Sequence, residues 1–162
     1  ADKLSFLPFG NGVERILQNK PVGAHLLGLD LLKHEQGHLL RAAQEGIVSA
    51  LTYGFRIMKD MGMTLATVKA GHANMFLSPI FRETFVQMNQ VNLELYDTDG
   101  AQGAARGAGL GAGIFASEEE AFLGLTKLQT LAPNPAIADR YEEVYQVWLA
   151  RLEQLTANPE SY

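Results

Sequence analysis

The fold turns on residues 69–79, "KAGHANMFLSP". Just before them, "TLATVKA" (64–70) is rich in β-branched residues and reads as a strand that ends at about Ala70. A glycine turn follows at Gly71. Ser78-Pro79 then marks a helix start, with serine as N-cap and proline at the first helical position. That helix runs to about Asn89, and "VNLELYD" (91–97) alternates with period two, as a further strand does. Strand–helix alternation of this kind argues for parallel pairing through right-handed crossovers. Ligands of open α/β sheets bind beyond the carboxyl ends of the strands, and helix N-termini attract anions. Gly71 permits close backbone approach. Asn74 carries both a donor and an acceptor, suited to an adenine edge or a phosphate oxygen. An Asn/Gly turn with no ligand accounts for the same residues.

Towards the N-terminus, "KLSFLPF" (3–9) reads as a short strand ending near Pro8 and Gly10. "GNGVERILQNKPVG" (10–23) is a loop punctuated by Gly, Asn and Pro. "AHLLGL" (24–29) is an apolar run that suits a buried strand. A long helix is expected from about Leu32 to Met61, with Leu39, Leu40, Ala43, Ile47, Ala50, Leu51, Ile57, Met58 and Met61 at helical spacing and Gly62 as its stop. Towards the C-terminus, "SEEEAFLGL" (117–125) opens a helix with Ser117 as cap. "APNPA" (132–136) is a turn. A last helix, about Ile137 to Leu155, carries a stripe from Tyr141 through Trp148 to Leu155 that should cover the body of the domain. Docking on a partner is its sharper alternative.

The chain is 162 residues long, 47% hydrophobic and 19% charged, which fits one ordinary globular domain. A net charge of −5 with no Lys/Arg-rich run gives no footprint for nucleic acid. No apolar run approaches the roughly 20 residues that span a bilayer. The absence of cysteine excludes disulfide and thiolate chemistry and makes a reducing, cytoplasmic setting the expectation. The first residues show no signal-peptide pattern and no initial Met, so the chain reads as a processed product or an excised piece.

Two motifs need weighing. "HEQGH" (34–38) matches H-E-x-x-H, in which two histidines on one helix face bind zinc. Gly37 weakens a helix there by about 1 kcal/mol, the segment opens a helix, and the next histidine, His72, lies beyond a strand. A solvated helix start is the better reading, and no metal site is assigned. "DGAQGAARGAGLGAG" (99–113) lacks the Lys-Ser/Thr of a phosphate-binding P-loop. Its alanines favour helix. Gly103, Gly107 and Gly111 fall on one face, and the expectation is a helix, capped by Asp99 or Thr98, that packs hard against its neighbours.

Taken in order, these segments resemble the C-terminal domain of the FGGY carbohydrate kinases, most closely the xylulokinase branch. "SFLPFGNGVER" is similar to the family's hydrophobic strand and Gly-x-Glu-Arg loop. His38, Leu39, Arg41, Ala42, Glu45 and Gly46 match its helix of the type His-Leu-x-Arg-Ala-x-x-Glu-Gly, and "DGAQGAARGAGLGAGIF" matches its Gly-Ala helix. The resemblance covers essentially the whole chain, 1–162. It implies an α/β fold: the helix-rich part of a ribonuclease-H-like, actin-like ATPase domain with a few short, mostly parallel strands. It further implies a two-domain enzyme that uses ATP and Mg²⁺ to phosphorylate a sugar, with xylulose or another pentulose as the family-level acceptor. This chain is then the nucleotide-side segment, without the sugar-binding N-terminal domain and without catalytic residues, inactive alone and prone to form a homodimer through the apolar face left open. By resemblance the adenosine turn is Ala70-Gly71-His72-Ala73-Asn74. It departs from the family's triple glycine and is similar to glycerol-kinase-like members, in which Ala-Asn is followed by Phe-Leu, here Phe76-Leu77. A non-catalytic regulatory module on the same fold is the alternative.

Overall fold

The computed structural model describes residues 1–10 and 14–157. Part of the expected Gly-x-Glu-Arg loop, residues 11–13, lies outside the described residues, as does the segment after residue 157. The elements follow in the order β1 (Ser5–Leu7), β2 (His25–Leu27), α1 (Gln36–Asp60), β3 (Thr67–Gly71), α2 (Pro79–Asn89), β4 (Asn92–Tyr96), α3 (Gly100–Gly111), α4 (Glu118–Ala121), β5 (Lys127–Leu131) and α5 (Ala138–Ala157). Three single turns of 3-10 helix, Glu14–Leu17, Asn74–Leu77 and Pro135–Ile137, join them.

Local chemistry explains most boundaries. Ser78 caps α2 by accepting the Phe81 amide, and Pro79 opens it. Gln90 closes it in the left-handed region at φ 53°. Asp99 caps α3 by accepting the Gln102 amide at 2.8 Å. Gly62, at φ 87°, lets the chain leave α1.

The strands form two small sheets. β1 pairs antiparallel with β2, Phe6 opposite Leu26. β3 pairs parallel with β4, from Thr67 opposite Asn92 to Gly71 opposite Tyr96, and β4 pairs antiparallel with β5. The expectation of mostly parallel strands is therefore corrected: among the described residues one pairing of three is parallel. Two pairings account for the miss, β1 with β2 and β5 with β4, and β5 was not legible as a strand. Its residues are exposed along Lys127–Thr130, so "KLQTL" shows no apolar alternation. The helix expected over 117–125 shrinks to α4, because Gly124 turns the chain at φ 80° and sends it back along β4.

The core is built by α5, α2, β1 and β4. Trp148, Tyr145, Phe81, Phe85, Leu7 and Leu95 are each at most 2% exposed. The α5 stripe covers the body of the domain, as its periodicity predicts: Tyr141, Tyr145, Trp148, Leu152 and Leu155 are all buried. α1 is the exception. Its buried residues are Ala42, Glu45, Gly46, Val48, Ser49 and Thr52, whereas much of its apolar stripe lies open. Gly46 lies so close to β1 that a Cβ there would overlap the Phe6 carbonyl oxygen.

The Gly/Ala helix also departs from expectation. Nothing lies within 4 Å of the Cβ positions of Gly103, Gly107 or Gly111, so their face is open and not packed. Regular spacing made these glycines alike in sequence. The one that is crowded is Gly109, buried under the ring of Phe115.

Two outcomes follow for denaturation of this chain. Gly46→Ala is expected to cost about 1–3 kcal/mol by overpacking, and Gly107→Ala to add about 1 kcal/mol through helix propensity. Burial pushes the Tyr145 phenol up to about 12, and burial also raises Tyr141. An unfolded tyrosine titrates near 10, so the unfolded state releases protons first and stability falls as pH rises from about 10 to 12. Tyr145→Phe is expected to flatten that slope in pH-dependent urea titrations.

Candidate functional site: a cleft at the ends of β3 and β4

The carboxyl ends of β3 and β4 open into a cleft of about 620 Å³. β3 supplies Lys69, Ala70 and Gly71, and β4 supplies Tyr96. Thr98, Asp99 and the first turns of α3 form a second wall, while Glu118, Glu119, Phe122 and Leu125 form a third. Gly71 is required here: a Cβ would run into the Thr98 carbonyl. The absent side chain is what brings the β4–α3 connection against the end of β3.

The five residues of the expected adenosine turn do not share one surface. Ala70 and Gly71 border this cleft and also a smaller, mostly apolar cavity of about 320 Å³. Ala73 and Asn74 line only the smaller cavity, beside Phe76 and Phe81. The His72 side chain lines neither; it is exposed, with Nε2 3.3 Å from Arg82. The bend itself stays open to solvent, since none of residues 70–74 is buried. Asn74 sits at φ 51°, a left-handed conformation that asparagine tolerates.

The bend turns several of its amides onto the chain's own backbone. The amide of His72 donates to Tyr96 O at 2.8 Å, that of Ala73 to Gly71 O at 2.8 Å, and that of Phe76 to Ala73 O at 3.1 Å. α2 starts only at Pro79, under the Ser78 hydroxyl, and the Asp99 carboxylate occupies the start of α3. Three of the bend amides are thus internally bonded, and the two helix starts carry side-chain caps. On the cleft walls Lys69 stands against Asp99, Glu118 and Glu119.

At the mouth, Tyr96 Oη donates to Glu94 at 2.7 Å and Lys127 donates to the same carboxylate at 3.0 Å. The Tyr96 hydrogen bond, and then Lys127, hold the Glu94 carboxyl below its usual range, and the bond to Glu94 raises the Tyr96 phenol. The Thr98 hydroxyl is buried in the cleft wall with no partner among the described residues.

His34 and His38 do not make a helical zinc pair. His34 precedes α1, and its Nδ1 accepts the Asp30 amide at 2.9 Å. His38 Nδ1 accepts the Glu35 amide at 3.1 Å. Among the described residues no group of three His, Asp or Glu could hold a metal ion, and no helix is long and apolar enough to cross a membrane. Sequence reasoning missed Tyr96, Thr98, Asp99, Glu118, Glu119 and Phe122 as cleft residues. The one signal available was Gly71, whose partner in close approach the sequence could not name.

This arrangement is an α/β fold of the sugar-kinase kind. The chain is 27% identical over 164 residues to the xylulose kinase of Haemophilus influenzae, covering 96% of this chain and 32% of that protein, in its C-terminal part. The crystal structure of xylulose kinase from Rhodospirillum rubrum superposes with a TM-score of 0.73 at 23% identity, over 95% of this chain and 31% of that one. Plasmodium falciparum glycerol kinase with ADP gives a TM-score of 0.66 at 19% identity, over 92% of this chain and 30% of that one. No family model matches. The chain thus spans about a third of the length of the relatives it matches.

Gly71→Ala is expected to destabilise the chain by about 1–3 kcal/mol, because either β3 or the Thr98–Asp99 connection has to move. Gly100→Ala, with nothing within 4 Å of its Cβ, is the matched control. Thermal melts of the two variants check this.

Proposed function

We propose that this chain is the nucleotide-side segment of an FGGY-type, ATP-dependent sugar kinase, on a ribonuclease-H-like domain, and that the cleft beside Gly71 receives the adenosine end of ATP. The observation that carries the reading is the position of that cleft, beyond the carboxyl ends of a parallel strand pair, where open α/β sheets take their ligands. Its size and mixed polar and apolar walls suit a nucleoside. The likeness to sugar kinases over nearly the whole chain supports it, and the xylulose kinases among them favour a pentulose acceptor.

The residues present fit the base and ribose and do not fit the phosphates or Mg²⁺. The bend amides of His72, Ala73 and Phe76 are bonded internally, both neighbouring helix starts are capped, and the charged groups on the cleft walls are mainly acidic. Phosphoryl transfer needs groups that neutralise charge on the transferred phosphoryl and a carboxylate that accepts the hydroxyl proton. No such step is assigned to this chain, and its role is to hold and orient the nucleoside. Ala70 and Gly71 form the floor. Gly103 leaves space on the α3 side, Phe122 and Leu125 supply apolar surface, and Asn74 reads a polar edge from the adjoining cavity.

The test is steady-state kinetics of the full reading frame that contains this chain, with ATP, Mg²⁺ and a panel of pentuloses. Gly103→Leu places a side chain in open space and should fold normally. It is expected to raise KM for ATP at least about tenfold, a loss of about 1.4 kcal/mol, with KM for the sugar unchanged. Asn74→Ala is expected to weaken ADP binding. Phosphotransfer that is insensitive to Gly103→Leu would remove the cleft from the proposal. No phosphotransfer with any sugar would favour the non-catalytic module.

A further inference from the structure

The bend that carries Ala70, Gly71 and Asn74 is anchored at its two ends. At the near end His72 N donates to Tyr96 O at 2.8 Å, beside the close approach of Gly71 to the Thr98 carbonyl. At the far end Phe76 packs edge-on against Phe81 and Phe85, with ring centroids 5.3 and 5.5 Å away. Between these anchors lies Asn74 at φ 51°, in a left-handed conformation that persists where the surroundings hold it. Among the described residues, one side-chain hydrogen bond leaves residues 70–74. It joins His72 to Arg82 on α2, with 3.3 Å from Nε2 to Nη1.

Arg82 spends its donors in an uncommon way. Among the described residues no carboxylate pairs with it, and its neighbour Glu83 is taken by the Tyr141 hydroxyl. The Nη1 that meets His72 also donates to Gln129 Oε1 on β5 at 3.3 Å. Gln129 reaches α2 because it stands opposite the buried Leu95 in the β4–β5 register. A guanidinium has donors and no acceptor, so His72 Nε2 accepts and the ring proton sits on Nδ1. The contact therefore requires a neutral imidazole in one tautomer. An arginine that gives its rigid fork to two neutral acceptors on flanking elements fixes geometry and does not neutralise charge. Bend, α2 and β5 are tied together at this one nitrogen.

We propose that Arg82 is a positioning residue for the nucleotide: through His72 it holds the bend in the conformation that presents Ala70, Gly71 and Asn74 to the adenosine. The inference rests on the reading of the cleft as the adenosine site. His72 lines neither cavity and Arg82 lines neither, so both act through the bend backbone and not by touching the ligand. A bend that is ordered beforehand spares the ligand the cost of ordering it. The effect therefore falls on nucleotide affinity and leaves the rate of the chemical step alone.

A double-mutant cycle in the full reading frame product tests it, read by steady-state kinetics with ATP and by calorimetry with ADP. Arg82→Met keeps the aliphatic stem and removes the donors, His72→Leu removes the acceptor, and His72→Gln keeps one. Arg82→Met and His72→Leu are each expected to raise KM for ATP and the ADP dissociation constant about three- to tenfold, with kcat and the sugar KM within about twofold. The double variant is expected to be no weaker than either single one, and His72→Gln to bind as the unsubstituted protein does. Additive losses, or a loss in Arg82→Met that His72→Leu does not share, make Arg82 structural and overturn the proposal. Should Arg82→Met fail to fold, the contrast between His72→Leu and His72→Gln at an exposed position decides alone. Nitrogen-15 histidine spectra supply a readout independent of catalysis. The His72 proton is expected on Nδ1, with that preference lost in Arg82→Met, and a proton on Nε2 overturns the contact. ADP binding that Gly103→Leu weakens and these variants do not overturns this proposal and keeps the cleft. ADP binding that none of them weakens removes the cleft, and the proposal with it.

Discussion

The carbonyl of Phe6 is where three elements meet. α1 comes against it at Gly46, where the missing side chain lets helix backbone touch strand backbone, and α5 brings the Trp148 indole to donate to the same oxygen at 2.9 Å. A buried indole N–H needs an acceptor, and the one it finds belongs to the strand that α1 already grips. Arg151 on α5 donates to Leu27 O at 2.8 Å and ties β2 into the same corner. With β1, α1 and α5 joined there, the stripe from Tyr141 to Leu155 lies over α2, and α2 in turn sets the β3–β4 pair.

The buried polar side of α1 is held by a chain of charged and hydroxyl groups. Arg41 Nε donates to Glu45 at 2.7 Å, its guanidinium reaches the Tyr141 hydroxyl at 3.2 Å, and that hydroxyl donates to Glu83 at 2.8 Å. A buried carboxylate costs several kcal/mol unless it is paired, and Arg41 pairs Glu45 across one helical turn. The network orients α1 about its own axis. Its polar groups turn inward, and its aliphatic stripe is left facing the end of β3.

The cleft owes its shape to Gly71 and its restraint to the caps. Bringing the Thr98 carbonyl against the end of β3 makes a compact pocket from three connections far apart in sequence. The carboxylate of Asp99 and the hydroxyl of Ser78 close the helix starts that would otherwise draw phosphate.

Local order was written in the residues themselves. Ser78-Pro79 starts a helix, Gly62 ends one, and the spacing of Tyr141, Tyr145, Trp148 and Leu152 determines which side of α5 is buried, since each acts through backbone geometry or a periodicity of a few residues. The order of such segments was enough to point to a kinase-like fold. Tertiary structure alone decided the rest: that β5 runs back antiparallel beside β4, that Gly109 and not Gly103, Gly107 or Gly111 is the crowded glycine, that His72 leaves the cleft while Thr98, Asp99 and Phe122 line it, and that the apolar stripe of α1 lies outside. Each of these depends on which distant segment comes to lie opposite. An exposed strand has no apolar period to announce it, and a regular glycine spacing is the same string whether its face is packed or open.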